Sequence, residues 1–302
     1  MSAPTVPLVF DRQRLRARRD LCAGTYHRYS FLKQNNSEAL LERLADTPRK
    51  FPLALDLGCH DGTLARVLAD TPQVGTVIAA DLSPQMARLA GDQGLMACCM
   101  SEEALAIKDG ALDLVTSALS LHWVNDLTGA LIQIRRALKP DGLFLGSLFG
   151  AGTLAELRTC LIAAESELTG GAAQRISPLP GLADMASLMQ RSGYALPVVD
   201  VDRLTVRYAS VDDLLTDLKG MGERSVLAAS APQGLSPRIM DRMAEIYAEK
   251  FADPDGRIRA SFEIIWLSGW APGPDQPQPL KPGSAKTSLA EAVQSIRNSE
   301  KD

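Results

Sequence analysis

The chain has 302 residues, enough for one large α/β domain carrying an insertion. A net charge of −4 excludes bulk electrostatic binding of nucleic acid, and no apolar run nears the roughly 20 residues of a membrane span. Five cysteines, an odd number without CxxC spacing, point to neither a disulfide framework nor a zinc site, so they read as thiols of a reducing compartment.

Residues 1–50 read as two short helices. The first carries Arg12, Arg14, Arg16, Arg18 and Arg19, bracketed by Asp11 and Asp20. Organelle transit peptides avoid acids, so this stretch is expected to be a solvated basic helix. The second helix is expected from Ser37, with Leu40, Leu41 and Leu44 at helical spacing, and to stop near Pro48. An apolar strand at 53–57 ends in Gly58. A helix with Leu64, Val67 and Leu68 on one face closes at Pro72, and a second strand at 74–80 ends on Asp81. Ser83-Pro84 is an N-cap followed by proline at the first helical position.

Short strands follow at 94–99 and 112–117, then a helix at 126–138 and a turn at Lys139-Pro140-Asp141-Gly142 before a strand at 143–149. Strands that are continuously apolar and alternate with helices predict a parallel sheet covered on both faces. After Gly150 the rhythm changes. Helices are expected at 153–168 and 184–191, a strand at 198–208, one helical stretch at 211–251 and a last strand at 261–270. The tail, rich in proline and glycine, reads as a linker-like extension.

A glycine turn after the first strand, opening a helix, is where doubly wound sheets bind nucleotides. Here the turn is Asp56-Leu57-Gly58-Cys59-His60-Asp61-Gly62. Asp81, ending the next strand, can accept both ribose hydroxyls of an adenosine. The spacing departs from Gly-x-Gly-x-x-Gly, and Asp56 would repel a pyrophosphate while suiting the amino group of a zwitterion. S-adenosylmethionine (SAM) therefore fits better than NAD.

Leu55-Asp56-Leu57-Gly58-Cys59, Asp81, Asp113-Leu114-Val115 and Leu138-Lys139-Pro140-Asp141-Gly142 resemble the successive motifs of class I SAM-dependent methyltransferases, over residues 50–150. Within that superfamily the chain is similar to the malonyl-carrier-protein methyltransferases of biotin synthesis. It is similar over more of its length to the methyltransferase-like assembly factors of respiratory complex I, reported as arginine hydroxylases. That second resemblance rests on Phe51 to Cys59, Ser120-Leu121-His122-Trp123-Val124-Asn125-Asp126-Leu127, Thr153-Leu154-Ala155-Glu156-Leu157-Arg158, Ile176-Ser177-Pro178, Gly220-Met221-Gly222-Glu223 and Gly283-Ser284-Ala285. It departs from the family pattern at His60, where glycine is usual, and at Ser101, where an acid reading the adenine amine is expected and Glu102 stands beside it.

The resemblance implies a seven-stranded, Rossmann-like α/β sheet with a helical lid insertion. Its parts would be an N-terminal helical segment (1–50), a SAM-binding core (51–150), the remaining sheet with inserted lid helices (151–271) and a flexible tail (272–302). Asp56, Gly58, Cys59, Gly62, Asp81, Leu82, Ser101 and Glu102 would bind the cofactor.

At the carboxyl edge of the fourth strand, His122 is the candidate for proton transfer, because imidazole titrates near neutral pH. Trp123, Arg158 and Glu223 are substrate candidates. An arginine there suits a malonyl carboxylate, and a glutamate suits a substrate arginine. Hydroxylation would call for iron held by two histidines and a carboxylate. His60, Asp61 and His122 are the set that could converge, and no metal site is assigned to them.

The leading expectation is an enzyme acting on a protein, by resemblance an arginine of the quinone-side iron–sulfur subunit of complex I, through methyl transfer or hydroxylation. The alternatives are O-methylation of a malonyl carrier protein and a non-catalytic assembly chaperone. A bacterial, cytoplasmic chain is expected, with association at the inner-membrane surface as the further expectation.

Overall fold

In the computed structural model, residues 8–229 and 234–274 are described, together with Gln276 and Ser288. The chain divides into two units, Met1–Pro272 and Gly273–Asp302. The expected tail and the Gly283-Ser284-Ala285 segment fall almost entirely outside the described residues.

Helix α1 (Arg12–Cys22) leads through a 3₁₀ turn (Ala23–Arg28) into α2 (Phe31–Ala45). Then follow β1 (Phe51–Leu57), α3 (Thr63–Ala69), β2 (Val74–Asp81), α4 (Pro84–Asp92), β3 (Met96–Cys99) and β4 (Leu112–Ala118). After these come α5 (Leu127–Ala137), β5 (Leu138–Phe149), α6 (Ala155–Thr169), α7 (Leu182–Arg191) and β6 (Ala195–Tyr208). Helices α8 (Val211–Gly220) and α9 (Pro237–Phe251) precede β7 (Ile258–Trp270). Ser83 caps α4 by accepting from the Met86 amide at 3.1 Å, as its position before Pro84 predicts.

The strands form one seven-stranded sheet, ordered β3-β2-β1-β4-β5-β7-β6. The first five are parallel, and β7 runs antiparallel between β5 and β6. The strand order reverses between β1 and β4, which puts a crevice at their carboxyl ends. Both faces are covered, as the continuously apolar strands require. Leu40, Leu44, Leu64 and Leu68 from α2 and α3 pack on one face, joined by Leu214 of α8 and Met243 of α9. Leu131 and Ile134 of α5, with Met185 and Met189 of α7, pack on the other against Leu55, Val115, Phe144 and Ile265.

Four expectations are corrected. Helix α2 begins at Phe31 and not at Ser37, because Lys33, Asn36 and Ser37 occupy its buried face and interrupt the apolar pattern. The helical stretch 211–251 is two helices, α8 and α9, with the Gly222–Leu227 loop after the first. Lys139 to Gly142 do not separate helix from strand. They bulge inside β5, where Leu138 pairs with Leu112 and Leu143 with Leu114, and Asp141 takes a φ of 60°. The basic helix α1 is not simply solvated, since Leu15, Arg19 and Cys22 face inward.

Candidate active site

The turn after β1 folds tightly under the carboxyl edge. Gly58 has a φ of 73°, and a Cβ there would lie 2.2 Å from Ser120 Oγ. Gly62, φ 84°, caps α3 and would press a Cβ to 2.9 Å from Ala90 Cβ. Both positions therefore need glycine for backbone conformation and for space. His60 between them has a φ of 53°, the left-handed region, which explains why a glycine is usual there. Its amide donates to Asp81 Oδ2 at 3.0 Å, so the strained backbone anchors the loop to β2.

The expected cofactor residues converge at this crevice. Asp81 is completely buried and also accepts from the Ser83 amide at 2.8 Å. Glu102 is completely buried, and Ser120 Oγ donates to its Oε1 at 2.7 Å. Ser101 Oγ accepts from Arg12 Nη2 at 3.3 Å. Cys59 is buried in the core, and Leu82 packs against Phe10, Leu15 and Trp123. Asp56, at the end of β1, accepts from Thr116 Oγ1 at 3.2 Å, while its Oδ2 is buried without a partner. Burial raises the Asp56 carboxyl to about 6, against the opposing pull of Lys33.

Three cations that the sequence did not assign to the site, Arg19, Arg12 and Lys33, stand in the same crevice. Arg19, 1% exposed, donates through Nη1 to both Asp81 oxygens at 3.3 Å and to Glu102 Oε1 at 3.2 Å. Its Nη2 donates to Ser120 Oγ at 2.9 Å. Arg12 closes the cluster by pairing with Glu102 Oε2. Burial alone would raise Glu102, but Arg12 and Arg19 overcome it and hold the carboxyl down at about 2. Lys33 Nζ donates to Gly58 O at 2.9 Å and Ala118 O at 2.7 Å, and lies 3.2 Å from His60 Nδ1. His60 Nδ1 also lies 2.9 Å from Gly58 O, so Lys33 and the imidazole share that carbonyl. Burial, then Lys33 and Arg19, hold the His60 pKa well below its ordinary value, so the ring is neutral and stacks on Tyr26 at 5.3 Å.

Helical spacing was the overlooked signal. Leu15, Arg19 and Cys22 form one stripe, and Arg12 continues it one turn earlier. Lys33, Ser37, Leu40 and Leu44 likewise share one buried face of α2.

Beside the crevice lies a cavity of about 840 Å³, walled by apolar side chains of α6, α8 and α9 such as Leu157, Leu218 and Met243. His122 and Trp123, in a 3₁₀ turn (Leu121–Trp123) after β4, and Glu223, after α8, meet at its wall. Glu223 Oε2 accepts from Trp123 Nε1 at 2.9 Å and lies 3.0 Å from His122 Nε2. The carboxylate takes the Nε2–H of His122, and Nδ1 on the other side of the ring is buried and without a hydrogen-bond partner. Phe149 packs on the His122 ring at 4.9 Å. Arg158 is not brought to this wall, and its Nη1 donates to Ala151 O at 3.3 Å. Among the described residues, no three histidine, cysteine or acidic side chains gather as a metal-holding group. Among them too, no helix is long and apolar enough to cross a membrane.

Comparison with known proteins agrees with this geometry. A methyltransferase-domain family model matches residues 55–146. The zebrafish mitochondrial arginine-hydroxylase NDUFAF5 is 38% identical over 287 residues, covering 94% of this chain and 89% of the relative. The human protein of that name is 36% identical, covering 96% and 85%. A malonyl-[acyl-carrier protein] O-methyltransferase of Methylovorus is 31% identical, covering 87% and 90%. Among solved structures, the Bacillus halodurans protein BH2331 superposes with a TM-score of 0.55 at 16% identity, covering 79% of this chain and 99% of the other. The chain belongs to the class I SAM-dependent methyltransferase superfamily, as an enzyme related to the arginine-hydroxylase NDUFAF5 proteins and to the malonyl-[acyl-carrier protein] O-methyltransferases.

Proposed function

We propose that the chain modifies an arginine of a protein substrate, with the guanidinium recognised at Glu223. The observation that carries this reading is a carboxylate on the wall of a largely apolar cavity, its Oε2 held by His122 and Trp123. Both hydrogen bonds fall on Oε2, so Oε1 retains its capacity to accept from a substrate N–H. In a low-dielectric cavity a carboxylate favours a planar, delocalised cation over a neutral group. His122 Nδ1, unpartnered, can take a proton from the reacting nitrogen, while Nε2–H on Glu223 steadies the imidazolium that forms.

The donor set of the crevice suits the cofactor. Asp81 would hold the ribose hydroxyls, Glu102 and Ser101 the adenine side, and Asp56 the amino group, with Gly58, Cys59, Gly62 and Leu82 shaping the pocket. SAM supplies an electrophilic methyl group when bound. The similarity to arginine-hydroxylase NDUFAF5 along nearly the whole chain supports an arginine as target. We take that arginine to belong to the quinone-side iron–sulfur subunit of complex I. We place the reaction in the bacterial cytoplasm, at the inner-membrane surface where that subunit would assemble.

A second reading is O-methylation of a malonyl carrier protein. It is favoured by Arg18, Lys219 and Arg224, which line the same cavity and suit an anionic substrate. The test is a deletion strain from which the quinone-side subunit is isolated and its peptides weighed. Loss of one oxygen from an arginine establishes hydroxylation, and loss of a methyl group establishes transfer. An unchanged subunit together with a biotin requirement overturns the arginine reading in favour of the carrier protein.

A further inference from the structure

The two carboxylates best suited to hold an adenosine already have cationic partners. Asp81 accepts from Arg19 through both oxygens and Glu102 from Arg19, Arg12 and Ser120, and both acids are wholly buried. Charge is balanced within the cluster, two guanidinium groups against two carboxylates. A ribose bound at Asp81 must therefore take the place of an existing charge-assisted contact.

The helix that delivers these arginines is fastened on its other flank. At about 100° per residue, Arg12 and Arg19 project within about 20° of each other, and Arg14 and Arg18 lie roughly 200° to 240° around from Arg12. Arg14 Nη1 donates to Leu227 O at 3.0 Å, and Arg18 to the carbonyls of Arg224 and Ser225. The backbone continues the seam, with Asp11 N on Val226 O at 2.8 Å and Ala228 N on Val9 O at 2.9 Å. The loop so held contains Glu223 of the cavity. One short helix thus touches the cofactor carboxylates on one flank and the substrate-side loop on the other.

We propose that Arg19 is an internal competitor of the cofactor and that α1 couples its release to the loop bearing Glu223. Cofactor binding turns Arg19 off Asp81 and loosens the seam between α1 and residues 222–228, so the wall that carries Glu223 responds to the cofactor. The coupling rests on the cofactor reading of Asp81 and Glu102 and is independent of which substrate enters the cavity. It makes apparent affinity for SAM a product of intrinsic affinity and the fraction of molecules with Arg19 released.

Calorimetric titration of SAM into the full chain, Arg19→Gln and Arg19→Lys tests the competitor. If about one molecule in ten has Arg19 released, Arg19→Gln binds about tenfold more tightly while Arg19→Lys stays near the parent. A gain in affinity is a readout that general damage to the fold does not produce. Equal or weaker binding by Arg19→Gln overturns the proposal, and absence of binding in all three overturns it together with the cofactor reading. Hydrogen exchange of the unaltered chain with S-adenosylhomocysteine supplies the second measurement. Faster exchange appearing together in residues 9–22 and 222–228 supports the coupling. Slower or unchanged exchange there defeats it.

Discussion

The crevice at β1, β2 and β4 and the cavity beneath α8 and α9 adjoin one another, yet they solve opposite problems. In the crevice, Arg19, Asp81, Glu102 and Ser120 satisfy one another and leave almost nothing exposed. On the cavity wall, Glu223 faces a largely apolar space of about 840 Å³, and His122 Nδ1 has no partner. A buried charge is tolerable when its neighbours neutralise it, and an unpaired polar atom beside a cavity is tolerable when a ligand will complete it. The polar groups of the crevice satisfy one another before any cofactor enters, and those of the cavity wall do not, so removing charge from the crevice should first cost stability and removing it from the wall should first cost substrate recognition.

Glu102→Ala should produce the largest loss of stability. It leaves Arg19 with Asp81 as its one carboxylate partner and Arg12 with Glu103 at 3.9 Å, and removing one partner of a buried pair costs about 3–5 kcal/mol. Urea unfolding followed by circular dichroism reads it. Glu223→Gln, by contrast, should shift stability by less than about 1 kcal/mol and lower arginine modification by about 10²-fold or more. Comparable destabilisation by the two substitutions would erase the distinction between the regions.

Lys33→Met probes the floor of the crevice. Lys33 donates to Gly58 O and Ala118 O, so methionine leaves two buried carbonyls without that donor, for a loss of about 2 kcal/mol. How Lys33 and Arg19 escaped the sequence reading is instructive. Asp56, Gly58, Gly62 and Asp81 were legible because turn geometry and strand ends bind them to fixed places in a doubly wound sheet. His122 and Trp123 were legible from their place after the fourth strand, whereas Glu223 was legible through resemblance alone, since nothing local announces that residues about a hundred positions apart will share hydrogen bonds. Arg19 and Lys33 sat on faces defined by Leu15 and Cys22 and by Leu40 and Leu44. For Arg19 a rule that charges are solvated overrode the periodicity that placed it inside, and Lys33 fell before Ser37, where the second helix was expected to begin. Arg158, in another family-like segment, lies apart from the residues that line the cavity.

Acid titration sharpens the same contrast within the crevice. His60 is held neutral in the fold, so below its ordinary 6.5 the unfolded chain binds a proton that the folded chain refuses, and stability falls as pH drops. Asp56 works with the opposite sign. Its folded value of about 6 exceeds the ordinary 3.8, so between these values the folded chain holds the extra proton and stability rises as pH drops. Glu102, held near 2 in the fold, stays ionised across this window while its unfolded counterpart begins to protonate toward the ordinary 4.5, so it adds to the fall in stability at the acid end in every variant compared. Melting temperatures from pH 7.5 to 4.5 should therefore fall more steeply on acidification in Asp56→Asn than in the unaltered chain, and less steeply in His60→Asn. Parallel curves would mean that neither group titrates as its surroundings dictate.

The smallest effect is expected at Arg158. Its guanidinium reaches the Ala151 carbonyl at 3.3 Å on a partly exposed stretch of α6, apart from the residues that line the cavity. A hydrogen bond in that setting competes with water, so Arg158→Ala should change stability by no more than about 0.5 kcal/mol. Arginine modification should stay at the parental level, whereas a malonyl carboxylate held by Arg158 would make the substitution costly for the carrier protein alone. Measuring both reactions on this one variant separates a surface cation from a substrate anchor. A selective rise in KM for the carrier protein would extend the recognition region beyond the wall on which His122, Trp123 and Glu223 meet.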